Sequence, residues 1–406
     1  EYRRQRQMCI RDSKNIINTW KEFAAEGEKH KINLVLDPTK VQTKTKKSLL
    51  NYLIPQTQKK LKVVFLYPRE PKTSAWLYSH ELGRMYLDET FSDKLETEYV
   101  AGVDENNVEQ VLEDIIKAGA DIVFCVGPQM MPNSLKVAVA HPEVYILNCS
   151  LNAPHPYIRT YYGRMYEAKF LAGMIAGAVT DNERVAYIAD YPIYGMIANI
   201  NAFALGVASV NPRAKVYLAW SKTKDYDRDK FLTENDLHYV SDQDIITPND
   251  ASRYFGLYKI QGDQTLNLAM PIWNWGVFYE KLLQSVLAGS YKAEGQEQVK
   301  ALNYWWGMSA GVIDLICSKH VPYGVKRLAD HLKSDITKGE VVPFFGQIYN
   351  QKGELKNKGE HEMKPSDIMK MDWLVDNVVG SIPPMSEFID NAKMVVELKG
   401  VEGNKL

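Results

Sequence analysis

Two tryptophan motifs stand where a strand pattern gives way to a helix pattern. In KVVFLYPREPKTSAWLYSH, Trp76 lies in the first turn of a predicted helix, after a strand that ends at Tyr67. In PIWNWG, Trp273 and Trp275 flank Asn274, and in an extended stretch the two indoles share one face while the amide points the other way. Indoles stack on flat ligands, and an amide donates and accepts, which suits the edge of a nucleobase. The alternative for both motifs is an aromatic cluster packed in the core.

Acidic and histidine side chains give weaker signals. Asp242 and Asp244, in SDQDIITP, follow a predicted strand and could ligate a metal ion or accept hydrogen bonds from a sugar. A solvated turn is the simpler interpretation, because no third ligand and no nearby histidine cluster indicates a magnesium or zinc site. His80 shares the helix of the first tryptophan, and a core or surface histidine is more typical there than a ligand contact. We therefore expect no metal and no cofactor.

The elements that must position these residues begin at Lys62. Strand patterns KVVFLYP, LETEYVAGV, DIVFCVG and VYILNCS alternate with helix patterns, which predicts a parallel, doubly wound sheet. After the long apolar helix pattern MYEAKFLAGMIAGAVT the alternation restarts with RVAYIAD and KVYLAWS. The chain is thus predicted to form two α/β lobes, joined by a hinge, with a ligand cleft between them. We place one lobe at 61–175 plus about 267–292 and the other at 176–266 plus about 293–400.

Ligands of open α/β sheets bind beyond the carboxyl ends of the strands. This rule adds five weaker candidates for ligand contact: Tyr67, Gln129, Tyr162, Arg164 and Asp190. The sequence contains neither G-x-G-x-x-G nor G-x-x-x-x-G-K-[ST], so nucleotide phosphates are not an obvious ligand. It also contains no G-x-S-x-G elbow, which disfavours a hydrolase.

Composition is that of an ordinary soluble globular protein. The 406 residues are 45% hydrophobic and 24% charged, and a net charge of −1 predicts no attraction to nucleic acid. No apolar run reaches the length of a membrane span. The cysteines match no zinc or C-x-x-C spacing, and we interpret Cys125 and Cys149 as buried free thiols in strands.

The first 60 residues differ from the rest. Residues 3–13, RRQRQMCIRDS, match the translation of a transposase-type adapter used in preparing sequencing libraries. We therefore leave residues 1–13 out of the fold prediction and expect the gene's own start, with any signal or lipid anchor, to lie upstream. Residues 14–60 are rich in lysine and predict a basic linker with one amphipathic helix. Contact with a membrane surface is the alternative for this segment.

The stretch FLYPREPKTSAWLYSHELGRMYLDETF resembles the opening of the basic membrane protein family of ABC-transporter substrate-binding proteins, which includes purine nucleoside receptors. That family reads Asp-x-Gly-Trp followed by His-x-x-Gly-Arg, and Trp76, His80, Gly83 and Arg84 match. The similarity continues, in order, through YYGRMYEAKFLAGMIAG, PIWNWGVFYEKLL, WWGMSAGVIDL and KMDWLVDNVVGSIP, and so covers about residues 62–384.

The resemblance implies a type I periplasmic-binding-protein-like fold and a non-enzymatic function. The ligand would be a purine nucleoside or base, handed to an ABC permease by a monomer held outside the cytoplasmic membrane by an anchor. Trp76, Trp273, Asn274 and Trp275 would line the ligand cleft, with Asp242 among the weaker polar candidates.

Two departures from the family pattern bear on which ligand fits. Lys72, Thr73 and Ser74 stand where the family has an acid before the first tryptophan, and Lys224 and Asp225 stand near a usual aromatic position. Two other functions stay open: the ligand-sensing domain of a regulatory protein, suggested by the basic segment 14–60, and an enzyme acting on purines.

Overall fold

The computed structural model describes residues 60–151, 157–245, 247–248, 252–288, 291 and 303–399. The adapter-like residues and the predicted basic segment, apart from Lys60, lie outside the described residues.

The described chain divides into two compact units. The first unit comprises the described residues up to Tyr162 together with Asn274–Tyr304, and the second comprises Gly163–Trp273 and the described residues from Trp305 onwards. The chain thus passes from one unit to the other at 162/163, 273/274 and 304/305. Our predicted lobe limits, at 175/176, about 266/267 and about 292/293, lie about 13, 7 and 12 residues from these points.

The first unit contains a six-stranded sheet. Its strands are β1 (Leu61–Tyr67), β2 (Leu95–Ala101), β3 (Ile122–Cys125), β4 (Tyr145–Cys149), β5 (Ile158–Gly163) and β11 (Asn303–Trp306), in the spatial order β11-β5-β4-β3-β1-β2. Its helices are α1 (Ala75–Thr90), α2 (Val108–Lys117), α3 (Met131–Ala140) and α7 (Trp275–Leu287). The pairs among β1 to β5 are all parallel, as the alternating pattern predicts.

Burial explains why the strands of this sheet read as continuous apolar runs. The last five residues of β1 are fully buried, as are all four of β3, because helices cover both faces of a parallel sheet. Val64, Leu66, Val123 and Ile146 form part of one core cluster. Helix α1 begins after Ser74, which is its N-cap: the Ser74 hydroxyl accepts a hydrogen bond from the Leu77 backbone amide.

The second unit contains a seven-stranded mixed sheet. Its strands are β6 (Arg184–Ala189), β7 (Lys215–Trp220), β8 (Tyr239–Ser241), β9 (Leu257–Gln261), β10 (Gln264–Trp273), β12 (Ile313–Cys317) and β15 (Val378–Val379), in the order β12-β10-β9-β8-β6-β7-β15. Strands β8, β6, β7 and β15 are parallel, whereas β9, β10 and β12 join antiparallel. Strands β9 and β10 pair antiparallel because a two-residue turn at Gly262 and Asp263 joins them, with no crossover helix between them.

The remaining helices of the second unit are α4 (Tyr166–Val179), α5 (Met196–Val210), α6 (Arg228–Glu234), α8 (Tyr323–Lys338), α9 (Pro365–Met369) and α10 (Asp390–Lys399). A separate hairpin is formed by β13 (Gln347–Tyr349) and β14 (Leu355–Lys358), with Gly353 in the left-handed region of its turn. In the described chain no helix combines the length and apolarity needed to cross a membrane. Cys125 and Cys149 are buried cysteines in β3 and β4 that form no disulfide, as predicted.

Backbone contact between α4 and α5 explains why the first boundary precedes α4. A Cβ atom on Gly173 would lie 2.0 Å from the Phe203 carbonyl oxygen, and one on Gly206 would lie 2.0 Å from the Phe170 carbonyl oxygen. The two glycines therefore let the two helices touch through their backbones, and α4 folds as part of the second unit.

Candidate functional site

The indole of Trp76 is held by three other rings of the first unit. It meets His80 edge-on, with ring centroids 4.7 Å apart, and Trp275 edge-on at 5.7 Å. The ring of Tyr162 lies tilted at 5.6 Å. Trp76 itself is half-buried, at the start of α1 and just beyond the carboxyl end of β1. The structure therefore gives this indole a fixed orientation and leaves part of it accessible.

Trp275, which the sequence analysis paired with Trp273, occupies the interior of the first unit. It is 1% exposed and stacks on His80, with centroids 4.3 Å apart and ring planes 16° apart. Gly83 lies against it, because a Cβ atom there would come within 2.9 Å of the Trp275 Cβ atom. Trp275 thus supports the Trp76 ring from behind, and it is Trp76 that retains accessible surface.

His80 is a fully buried, neutral histidine. One ring nitrogen, Nδ1, lies 2.6 Å from the Tyr279 hydroxyl, and Nε2 lies 3.8 Å from the Cys149 sulfur. Burial holds the pKa of His80 well below its ordinary value. Since both nitrogens face buried partners, His80 has a structural role, which the sequence interpretation favoured.

Tyr67 belongs to a buried hydrogen-bond network. Its hydroxyl donates to Glu81 Oε2 at 3.1 Å, and Arg84 binds both oxygens of the same carboxylate at 2.9 and 2.6 Å. Arg84 also donates to the Thr97 hydroxyl at 2.8 Å, which connects α1 to β2. Burial, with the charge of Glu81, raises the pKa of Tyr67 well above its ordinary value. The network anchors α1, and with it Trp76, to the sheet.

Two amide side chains converge on Gly127, just beyond the end of β3. Asn148 donates to the Gly127 carbonyl at 2.8 Å and to the Cys125 carbonyl at 3.4 Å, which orients its amide. A Cβ atom on Gly127 would lie 2.8 Å from Gln129 Oε1. Within the described residues, Gln129 Oε1 and Asn148 Oδ1 are buried and accept no hydrogen bond. Both oxygens can therefore accept from a ligand N–H or O–H group.

The second unit carries a polar group at the carboxyl ends of β6, β7 and β8. The Asp190 carboxylate accepts a short hydrogen bond from the Ser221 hydroxyl. The carboxylate of Asp242 accepts hydrogen bonds from the Tyr258 hydroxyl at 3.0 Å and from the backbone N–H of Gln243 at 2.8 Å. Arg228 donates to the same Tyr258 hydroxyl at 3.0 Å. Both acids are thus oriented while keeping lone pairs for further donors.

The protonation of Asp242 is sensitive to pH near neutrality. Burial raises the pKa of Asp242 to about 6, and the charge of Asp190 acts in the same direction. Hydrogen bonds from the Gln243 amide and the Tyr258 hydroxyl, together with the charge of Arg228, oppose the rise. At neutral pH the carboxylate is charged and accepts hydrogen bonds, whereas below about pH 6 it becomes protonated.

Trp273 is held at both ends within the second unit. Its Nε1 donates to Asp244 Oδ2 at 3.1 Å, and a Cβ atom on Gly163 would lie 2.6 Å from the far edge of the ring. The other oxygen of Asp244 pairs with the Lys169 ammonium at 2.6 Å. Both oxygens of Asp244 are therefore engaged by protein groups.

In the described chain, no group of three or more His, Cys, Asp or Glu residues could hold a metal ion.

The two candidates not yet described, Arg164 and Asn274, each lie directly after the end of a strand. Arg164 pairs with Glu167 at 2.9 Å and donates to the Ser309 hydroxyl at 3.2 Å, while Glu167 accepts from the Met308 amide at 2.6 Å. Arg164 thus anchors the turn at Met308–Ala310. Asn274, which is half-buried, precedes α7, and its carbonyl accepts from the Val277 amide at 3.1 Å.

In each unit the structure brings together some of the sequence candidates. In the first unit Tyr162 and Trp275 each contact the ring of Trp76, and in the second the charge of Asp190 contributes to the raised pKa of Asp242. Sequence reasoning did not find Lys169 or Tyr258. Lys169 was detectable as the one lysine inside the apolar pattern MYEAKFLAGMIAGAVT, but nothing local indicates its partner.

Comparisons with known proteins agree with this architecture. The family model described as ABC transporter substrate-binding protein PnrA-like matches residues 60–263. A purine-binding protein of Brucella abortus (strain 2308) is 28% identical over 342 residues, which cover 80% of this chain and 95% of that protein. A putative ABC transporter glucose-binding protein of Haloferax volcanii is also 28% identical, over 64% of this chain and 67% of the relative.

A solved solute-binding protein of an ABC transporter system from Conexibacter woesei superposes with a TM-score of 0.55 at 16% identity, covering 70% of this chain and 98% of that structure. This likeness confirms the predicted periplasmic-binding-protein-like fold, and the family resemblance seen in the sequence is confirmed by the family model. Because that model spans half of the residues, from the first strand to the hairpin turn after β9, the chain belongs to the family of PnrA-like ABC transporter substrate-binding proteins.

Proposed function

We propose that this chain binds a purine nucleoside or purine base and delivers it to an ABC importer. The observation that carries the proposal is the half-buried indole of Trp76, held in one orientation by three neighbouring rings. An aromatic pair of this kind contributes about 0.5–1.5 kcal/mol beyond the burial of its surface. Because the ring is already oriented, little side-chain entropy is lost when a flat ligand stacks on it.

Polar groups in each unit match the remaining chemistry of a nucleoside. Gln129 Oε1 and Asn148 Oδ1 are buried acceptors suited to the N–H groups of a base. Asp190 and Asp242 are oriented carboxylates suited to hydroxyl donors. We assign the second stacking surface to Trp273, whose ring is fixed by Asp244.

A sugar is the second candidate ligand. One relative is named a glucose-binding protein, at the same 28% identity as the relative named purine-binding. The strand-end acids Asp190 and Asp242 would serve a hydroxyl-rich ligand as well. The half-buried indole of Trp76 favours the purine, because a purine presents a flat aromatic face that can stack on it.

The deciding experiment is a thermal-shift panel on the full chain. The panel contains adenine, hypoxanthine, guanine, adenosine, inosine, guanosine, glucose, ribose and amino acids. A ligand at about 100 times its Kd stabilises the folded state by about 2.7 kcal/mol, which raises the melting temperature measurably.

We expect one subset of the purines to raise the melting temperature of the wild type, and Trp76→Ala to abolish this rise. Trp373→Ala is the matched control, since Trp373 is half-buried, its indole lies 5.9 Å from the Lys356 ammonium, and only its backbone carbonyl accepts from Asn201. A shift with glucose alone would overturn the purine assignment.

The same proposal specifies partners and location. We infer that the protein acts outside the cytoplasmic membrane, held there by an anchor, with a transporter permease as its protein partner. It would work as a monomer, without nucleic acid, cofactor or catalysis. Adenosine recovered unchanged after incubation with the protein would agree with this, whereas turnover lost in Asp242→Asn would support the enzyme alternative. A DNA-binding domain encoded upstream would support the sensor alternative.

A further inference from the structure

Lys169 is a charged residue in the interior of the second unit. Its side chain is 3% exposed, and its helix, α4, is otherwise built largely from buried apolar residues. A buried ammonium is strongly unfavourable unless it is paired and hydrogen-bonded. The position of its partners therefore indicates what this residue does.

Both partners of Lys169 lie in the segment that follows β8. The ammonium pairs with Asp244 Oδ1 at 2.6 Å and donates to the backbone carbonyl of Asp242 at 3.3 Å. It also lies 5.3 Å from the centre of the Tyr187 ring, on β6. One buried cation thus holds the start of a long connection against the sheet.

The contact continues from Asp244 to Trp273. Asp244 Oδ2 accepts the indole N–H of Trp273 at 3.1 Å, while the opposite edge of that ring lies against the backbone at Gly163. The carboxylate therefore has one oxygen on the lysine and one on the indole. If the lysine is removed, Asp244 loses the charge that keeps it in place, and the indole loses a fixed acceptor.

We propose that Lys169 is a positioning residue of the ligand site, which acts through Asp244 to fix the indole of Trp273. This inference rests on the proposed function, in which Trp273 contacts the ligand. The Lys169 ammonium is already engaged by Asp244 and by the Asp242 carbonyl, so its effect on the ligand passes through the Asp244 carboxylate.

The first test follows the Trp273 indole without any ligand. In the ¹⁵N-tryptophan-labelled full chain, the Trp273 signal is assigned from Trp273→Phe, and solvent exchange of its N–H is compared between wild type and Lys169→Met. We expect the Trp273 N–H to shift and exchange faster. The Trp220 N–H, which donates to the Ser381 carbonyl at 2.8 Å in the same unit, should be unchanged. An unaltered Trp273 signal would overturn the inference.

The second test measures affinity for adenosine by calorimetry. Lys169→Met should weaken binding about tenfold, and by much less in an Asp244→Leu background, because contacting residues show non-additive effects of this size. Lys169→Met alone leaves the buried Asp244 carboxylate without its cation, which Asp244→Leu removes. The effect of Lys169→Met can therefore still be measured in the Asp244→Leu background if the single variant folds poorly. Equal losses in both backgrounds would overturn the inference.

The matched control is Lys333→Met. Lys333 is a partly buried lysine of the second unit whose ammonium pairs with Asp314 and donates to the Leu315 carbonyl at 3.3 Å. It should lower stability and leave adenosine affinity within about twofold of wild type. A Lys333→Met loss as large as that of Lys169→Met would mean that Lys169 is only structural. If the wild type binds no adenosine, the cycle is measured with the purine that raises the melting temperature in the panel. If no purine does so, the proposed function fails, and the indole measurement alone decides whether Lys169 positions Trp273.

Discussion

The imidazole of His80 lies face to face on the indole of Trp275, with 4.3 Å between ring centroids. This contact joins two residues that are 195 positions apart in the sequence. The neutral imidazole also lies 2.6 Å from the Tyr279 hydroxyl on the same helix, α7. This stack connects α1 to α7 and supports the ring of Trp76.

This stack makes the stability of the fold sensitive to acid. Burial lowers the folded-state pKa of His80, so below the unfolded value of about 6.5 only the unfolded chain takes up the proton. The free energy of unfolding should therefore fall by up to about 1.4 kcal/mol for each pH unit below that value. Urea unfolding at about pH 7.5 and about pH 5.5 measures it. His80→Gln should be less stable at neutral pH but should lose this part of the pH dependence, and an identical slope in both proteins would contradict the argument.

The two tryptophans of the first unit should respond differently to truncation. Trp275→Ala leaves a cavity in the core and should cost about 3–5 kcal/mol in the free energy of unfolding. Trp76→Ala should cost less stability, because Trp76 is half-buried, but should abolish ligand binding. Chemical denaturation and the thermal-shift panel separate the two effects. Loss of binding in neither variant would show that this aromatic group does not contact the ligand.

The contact between α4 and α5 should not tolerate a methyl group. Gly206→Ala would place a Cβ atom 2.0 Å from the Phe170 carbonyl oxygen. Overpacking of this kind costs about 1–3 kcal/mol or more, and here the clashing atom belongs to backbone. Gly324→Ala on α8 is the matched control, because nothing lies within 4 Å of its Cβ position. That change should be neutral or stabilise by up to about 1 kcal/mol. In thermal melting, Gly206→Ala should therefore have a lower melting temperature than Gly324→Ala, and the reverse order would contradict the close packing of α4 on α5.

Ligand affinity should decrease in acid through Asp242. Its pKa of about 6 means that the carboxylate accepts hydrogen bonds at neutral pH and loses its charge as the pH falls. If the ligand donates to it, the Kd should rise as the pH falls through about 6, by at most about tenfold per pH unit. Calorimetry at about pH 7.5 and about pH 5 would measure the change. Asp242→Asn should bind more weakly at neutral pH and show little further loss in acid, whereas an unchanged pH profile would place the ligand elsewhere.

Much of the first unit could be predicted from local patterns. The apolar run KVVFLYP became β1, and Ser74 capped α1, because burial on both faces and an unsatisfied helix start each leave a signature within a few residues. The mixed sheet of the second unit was less predictable, since a short strand followed by a turn has the same sequence pattern whether it pairs parallel or antiparallel. The family resemblance could likewise be read from ordered motifs.

The sequence by itself determined the α/β class, the order of the elements and the residue types at the strand ends. Only the tertiary structure decided which tryptophan keeps accessible surface, since Trp76 and Trp275 have the same side chain and similar local settings. It also decided that Lys169 meets Asp244, and that α4 folds with the second unit through Gly173 and Gly206. The physical reason is the range of the interactions. Periodicity and capping act over a few residues, whereas burial, ion pairing and close backbone packing depend on partners that are distant in the chain.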